Sequence, residues 1–180
     1  MIRLQDAAEI EATPKQIFDW LTHLPENYLR WHPDHVACRY LQGDSMDLGT
    51  VLYVEEVLHG QLHKLTLCMT KVIPERHMEY TIMPGMKGAF DVEPQNDHTL
   101  FVATITMGID WPVLGPMLDW ILRTLFRRRI HELEQHMAEE GENLRLIFGA
   151  NEDKHQIHAN LQTVNESQGG TSSVSHKCPP

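Results

Sequence analysis

A change of hydrophobic period near residue 113 constrains the fold of this chain more than any other feature of its sequence. From Val113 to Phe148 the residues Leu122, Phe126, Ile130, Leu133, Met137, Leu144 and Phe148 recur at helical intervals, which predicts one long amphipathic helix. Gly115-Pro116 is the place where that helix would break, and Gly141 is a point of strain. Everything before it reads differently. Residues 3 to 12 alternate as a strand; Thr13 and Pro14 then supply an N-cap and a first-turn proline for a short helix, Pro14 to His23, whose apolar stripe is Ile17, Phe18 and Leu21. A second helical segment runs from Pro25 to Trp31. Six strand-like runs follow, Val36 to Leu41, Thr50 to Leu58, Leu62 to Val72, His77 to Met83, Gly88 to Val92 and Thr99 to Ile109, each closed by Gly, Pro, Asn or Asp.

A half-buried antiparallel sheet needs an apolar cover, and a single long helix lying in its curve provides one. The expected architecture is therefore α+β of the helix-grip type: a curved antiparallel sheet wrapped around a C-terminal helix. Residues 1–148 form the domain, and 149–180, rich in Asn, Gln, Ser, Gly and Thr, are expected to be a disordered tail. This order of elements, with its opening of strand, Thr-Pro and helix, resembles the superfamily of START domains, Bet v 1-like proteins and polyketide cyclases over residues 1–148. The resemblance implies a cavity between sheet and helix that holds hydrophobic ligands, and leaves the function open.

Composition excludes several classes of partner. A net charge of −10 over 180 residues does not suit a nucleic-acid surface, which needs clustered Lys and Arg. The basic run Arg127-Arg128-Arg129 lies within the helix pattern and reads as a solvated face. No apolar stretch approaches the roughly 20 residues of a membrane span, and the N-terminus enters a strand pattern directly, so a cytoplasmic location is expected. Three widely spaced cysteines, Cys38, Cys68 and Cys178, read as free thiols.

Twelve histidines are the unusual count. His155, His158 and His176 fall in the tail and are expected to be idle. On the C-terminal helix, Glu140 falls in the middle of the core-facing stripe through Phe126, Leu133, Met137 and Leu144. His136 stands one turn before it at the stripe's edge, so the two side chains share one space, while Gln135, Glu139 and Glu142 project elsewhere. A buried carboxylate needs a cation, a proton or a set of donors; a metal shared with His136, or an arginine such as Arg145, would meet that need. Upstream, Trp31-His32-Pro33-Asp34-His35 places two imidazoles about a proline turn. In the strand Val51 to Leu58, Glu56 shares a face with Leu52, Val54 and Leu58, which makes it, rather than Glu55, the inward glutamate.

Together these segments resemble the zinc-dependent hydrolases typified by 2,4-diacetylphloroglucinol hydrolase. The matching pieces are Trp31-His32-Pro33-Asp34-His35, Glu56 shortly before Gly60, and the run from His136 to Leu144. Carried over, the resemblance implies a zinc site of His35, Glu56, His136 and Glu140, with His32 able to replace His35 and Glu55 able to replace Glu56; iron or manganese would also suit such donors. It further implies hydrolytic carbon–carbon cleavage beside the carbonyl of a small aromatic or polyketide-like ketone. A non-enzymatic carrier or sensor of a hydrophobic ligand, or a polyketide cyclase-like protein, is the alternative, and would require the cavity but not the four ligands. For a separate acid or base, Tyr53, His59, His63, His77 and His98 are available, and spacing selects none.

Overall fold

The boundaries of the secondary structure follow from local chemistry. In the computed structural model, which describes residues 1–58, 60–108 and 127–168, strand β1 (Ile2–Ile10) leads into α1 (Pro14–Thr22) and α2 (Leu24–Trp31). Thr13 closes a capping box with Gln16, each side chain bonding the other residue's backbone N–H, which satisfies donors that a helix start leaves unpaired. Six strands follow: β2 (His35–Gln42), β3 (Val51–Leu58), β4 (Gln61–Ile73), β5 (His77–Met83), β6 (Met86–Gln95) and β7 (His98–Met107). Gly85, at φ 82°, makes the turn of the β5–β6 hairpin, a conformation that favours a residue without a Cβ.

The seven strands form one antiparallel sheet in the order β1-β7-β6-β5-β4-β3-β2. Consecutive hairpins build it from β2 to β7, and β1 returns to pair with the last strand, leaving β1 and β2 at the edges. One face is apolar. Leu4, Leu52, Val54, Met69, Met78, Phe90, Val92 and Phe101 are buried there, together with Ile17, Leu21, Tyr28 and Trp31 of the two short helices. The C-terminal helix α3 (Arg127–Gln168) crosses this face and buries Met137, Leu144 and Phe148. This is the helix-grip fold, and no helix among the described residues is long and apolar enough to cross a membrane.

Helix α3 differs from the sequence expectation in its length. It is continuous to Gln168, beyond Gly149, where the chain was expected to leave regular structure. One glycine in a helix interior costs only about 1 kcal/mol, and the Glu, Lys, Gln, Ala and Leu residues that follow it are good helix formers. It also passes through Gly141 without interruption. A Cβ at Gly141 would meet Asp6 Oδ2 at 2.9 Å and the Cβ of Ala8 at 3.2 Å, so this glycine lets the helix lie directly on β1. The expected break at Gly115-Pro116, along with Trp111, Trp120 and Cys178, lies outside the described residues.

The tight contact at Gly141 yields a prediction. A Gly141→Leu substitution should wedge helix from sheet and destabilise the protein by roughly 1–3 kcal/mol, lowering the melting temperature by about 3–10 °C for a chain of this size. An unchanged thermal or urea midpoint would show that the approach is not close-packed.

Candidate functional site

An irregularity in β2 brings the first functional side chain inward. Glu56 lies opposite His35, whereas Val54 lies opposite Cys38, so β2 uses three steps where β3 uses two. A strand alternates faces at every residue, and without this bulge His35 would point away from the side shared by Cys38 and Tyr40. The extra residue, Val36, is exposed and absorbs the change of phase.

Tyr28 of α2 then holds His35. The two rings stack at a centroid distance of 3.8 Å, 4° from parallel, and His35 Nδ1 lies 2.9 Å from the Tyr28 carbonyl oxygen. A carbonyl can only accept, so Nδ1 carries the proton and Nε2 of the neutral ring presents a lone pair. That atom is buried, has no hydrogen-bond partner among the described residues, and sits 3.0 Å from Glu140 Oε1. A lone pair facing a carboxylate oxygen at this distance is repulsive unless a proton or a cation lies between them.

Three further groups converge on the same place. His136, one turn before Glu140 on α3, has its Nε2 3.8 Å from the same oxygen, buried and without a hydrogen-bond partner among the described residues; burial holds its pKa below the usual imidazole value. Glu56 receives the Tyr28 hydroxyl at 3.4 Å. Burial first, and then the neighbouring Glu140 carboxylate, push its pKa up to about 7. Glu140 is 15% exposed, and its backbone carbonyl accepts the Trp31 indole N–H at 2.9 Å, tying α3 to α2.

His32 and His35 are distinguishable by their hydrogen bonds. The Asp34 backbone N–H donates to His32 Nδ1 at 3.1 Å, which leaves the proton on Nε2, where it donates to Glu139 Oε2 at 3.1 Å. Both nitrogens of His32 are engaged, although one ring nitrogen from each of His32, His35 and His136 lies within 4.8 Å of the others. Glu139 was expected to project away from the site; instead its half-exposed carboxylate reaches across to His32. Glu55 lies on the opposite face of β3, with Lys64 at 3.4 Å and the Tyr53 hydroxyl bonded to it. Arg145 pairs with Glu142, not with Glu140.

This cluster forms the polar end of a cavity of about 330 Å³ between the sheet and α3, with Glu56, Glu140 and His136 in its wall. The remaining lining is mostly apolar, with Met46, Met69, Met83, Met86, Met107 and Met137 prominent. Unbranched, polarisable methionines make walls that adapt to the shape of what they enclose. Of the acid–base candidates, His63 lines the cavity. Tyr53 points to the other face, His77 pairs with Asp91 at 2.7 Å, His98 stands near Glu9 at 3.7 Å, and His59 lies outside the described residues. Sequence reasoning assigned nothing to Tyr28 and Tyr80. Tyr80 shares the alternation of Met78 and Ile82, so its face was legible although its use was not.

The model of a family described as polyketide cyclase / dehydrase and lipid transport matches residues 1–140. No curated protein matches the sequence. Among solved structures, the chain is similar to a START superfamily protein from Mycobacterium smegmatis (18% identity, TM-score 0.55, covering 79% of this chain and 98% of that one). It is similar also to the ginseng major latex-like protein 151 from Panax ginseng (13% identity, TM-score 0.54, 75% and 96% covered). A third likeness is to the di-domain ARO/CYC StfQ from the steffimycin biosynthetic pathway (13% identity, TM-score 0.64, 84% and 52% covered). At these identities the likeness carries the fold and nothing finer.

The hydrogen-bond pattern predicts opposite neutral tautomers for two histidines three residues apart. Long-range ¹H–¹⁵N correlation NMR should find the proton of neutral His35 on Nδ1 and that of neutral His32 on Nε2. The reverse assignment would break the geometry described above.

Proposed function

The chain belongs to the polyketide cyclase / dehydrase and lipid transport family, and on that premise we propose that its cavity binds a small aromatic or polyketide-like ketone and presents the ketone oxygen to Glu56, Glu140 and the two histidines. The observation that carries this reading is a largely apolar cavity of about 330 Å³ with Glu56, Glu140 and His136 together in its wall. That size stands near the lower limit of ordinary small-molecule sites, which favours a ligand of one or two rings. Cyclisation and dehydration of such a ketone both require a proton to leave the carbon beside the carbonyl and another to reach an oxygen. Glu56, with its pKa near 7, can exist in either form at neutral pH, as a proton carrier should. His136, kept neutral by burial, offers a base beside it.

A second reading is favoured by a specific observation: two buried imidazole nitrogens without hydrogen-bond partners among the described residues, His35 Nε2 and His136 Nε2, face a carboxylate that has a second buried carboxylate for a neighbour. Such a donor set fits a divalent metal. His35, Glu56, His136 and Glu140 would hold it, zinc suiting two histidines and two carboxylates best, with iron and manganese also compatible. When bound it would supply Lewis-acid polarisation of a carbonyl and an activated water. In this reading the protein is a metal-dependent hydrolase of the same class of ketone, possessing the chemistry for carbon–carbon cleavage. The His32 ring packs against that of His136 at a centroid distance of 4.2 Å, and Tyr28 fixes the tautomer of His35.

The two readings separate by experiment. Small acyl phenols at about one hundred times their dissociation constant should stabilise the wild type by roughly 2.7 kcal/mol, visible as a rise in melting temperature; absence of any such rise would remove the ketone-binding reading. Protein purified without an affinity tag should contain about one equivalent of metal under the second reading, lost in His136→Ala. Metal-free protein that still binds acyl phenols would leave the first reading alone.

A further inference from the structure

The chain has four tyrosines, Tyr28, Tyr40, Tyr53 and Tyr80, and three of their hydroxyls are engaged within the protein. Tyr28 donates to Glu56, Tyr40 to the Thr22 carbonyl and Tyr53 to Glu55. Tyr80 lines the cavity, and its hydroxyl makes no hydrogen bond among the described residues. A tyrosine in an apolar wall ordinarily finds a partner for its O–H. Tyr28 also lines the cavity, but its donor is spent on Glu56, which leaves Tyr80 with the unspent one.

The backbone beneath Tyr80 is arranged around its ring. Tyr80 stands opposite Gly88 in the β5–β6 register. A Cβ at Gly88 would lie 2.2 Å from Tyr80 Cζ and 2.4 Å from its hydroxyl oxygen, so the far end of the phenol rests on the glycine. Phe90, with its ring centroid 5.6 Å away, supports the ring from the side. Any larger residue at position 88 would lift the ring off the sheet and into the cavity. Gly88 thus does two things at once: it keeps the volume above the ring open, and it holds the hydroxyl at a fixed place on the cavity floor.

We propose that the Tyr80 hydroxyl is the hydrogen-bond donor that recognises a carbonyl or phenolic oxygen of the bound ring compound, and that Gly88 is the slot that positions it. This rests on the reading of the cavity as a ketone-binding site and adds a specificity-determining residue to it. The donor discriminates oxygenated rings from hydrocarbons of equal size. It does so from the sheet, within electrostatic reach of the Glu56 and Glu140 carboxylates.

Titration of the full chain with two matched probes tests this, 2-acetylnaphthalene, which carries an acceptor oxygen, and 2-ethylnaphthalene, which does not. Tyr80→Phe keeps the ring and its volume, and should weaken the ketone about fivefold, the scale of one neutral hydrogen bond, while leaving the hydrocarbon within about twofold. Gly88→Ala should weaken both probes, because the displaced ring occupies their space. Equal losses for the two probes in Tyr80→Phe, or no loss for either, would overturn the role of the hydroxyl while leaving the ketone-binding reading intact. Wild-type affinity for Gly88→Ala would overturn the slot. Failure of the wild type to bind either probe would instead overturn the ketone-binding reading, and the role of Tyr80 with it.

Discussion

The docking of the C-terminal helix against β1 and α2 is the contact on which the rest of the structure depends. Glycine at 141 allows the helix to lie on the side chains of Asp6 and Ala8, and the Trp31 indole fixes the carbonyl of the preceding residue, Glu140. These two contacts act on adjacent residues and set both the depth and the rotation of α3 at the point where Glu140 enters the cavity. Side chains one turn apart on a helix share a face, so His136 follows without further constraint. Were the helix to stand off the sheet by the thickness of a side chain, the cavity would widen and the polar cluster would separate.

That cluster imposes an electrostatic condition on the fold. Glu140 raises the energy of the ionised form of Glu56 in a region of low polarisability, and His35 turns its Nε2 toward Glu140. Three agents can relieve the arrangement: a shared proton, a metal ion, or a ligand that donates hydrogen bonds. The raised pKa of Glu56 expresses the first of these. The surroundings are stiff where it matters, since Tyr28 supports His35 by stacking and by its carbonyl while its hydroxyl holds Glu56. One residue on a short helix therefore orients two groups from neighbouring strands. A cluster that must be neutralised and is not free to rearrange is suited to binding, because it need not reorganise when the neutralising partner arrives.

Much of this arrangement could be read in the sequence because periodicity reports faces. The period of two in Val51 to Leu58 assigned Glu56 to the inside and Glu55 to the outside, and both lie there. The helical stripe likewise assigned Glu140 to the core and His136 to its edge. Position along a face was legible; phase across an irregularity was not. The bulge at Val36 reverses the parity of His35 relative to the strand that follows, and no local signal in His-Val-Ala-Cys announces an extra residue. The choice between His32 and His35 depends on which nitrogens are already bonded, a property of the fold rather than of spacing. The continuation of α3 past Gly149 was missed for a different reason. Without an apolar stripe, helix propensity alone directs the chain, and a reading based on amphipathicity does not see it.

The division of labour within the cavity has a consequence for selectivity. Apolar walls rich in methionine discriminate poorly between rings of similar size, since a methionine can change rotamer to follow the shape it meets. Selectivity must then come from directional groups, and directional groups are effective only when held. The sheet holds Tyr80 by removing the side chain beneath it at Gly88, whereas the cluster is held by hydrogen bonds and stacking from α2. These supports belong to different elements, and they bring the Tyr80 hydroxyl within electrostatic reach of Glu56 and Glu140. A framework that supports directional groups from separate elements can host different sites, which is one physical reason why the fold alone leaves function open.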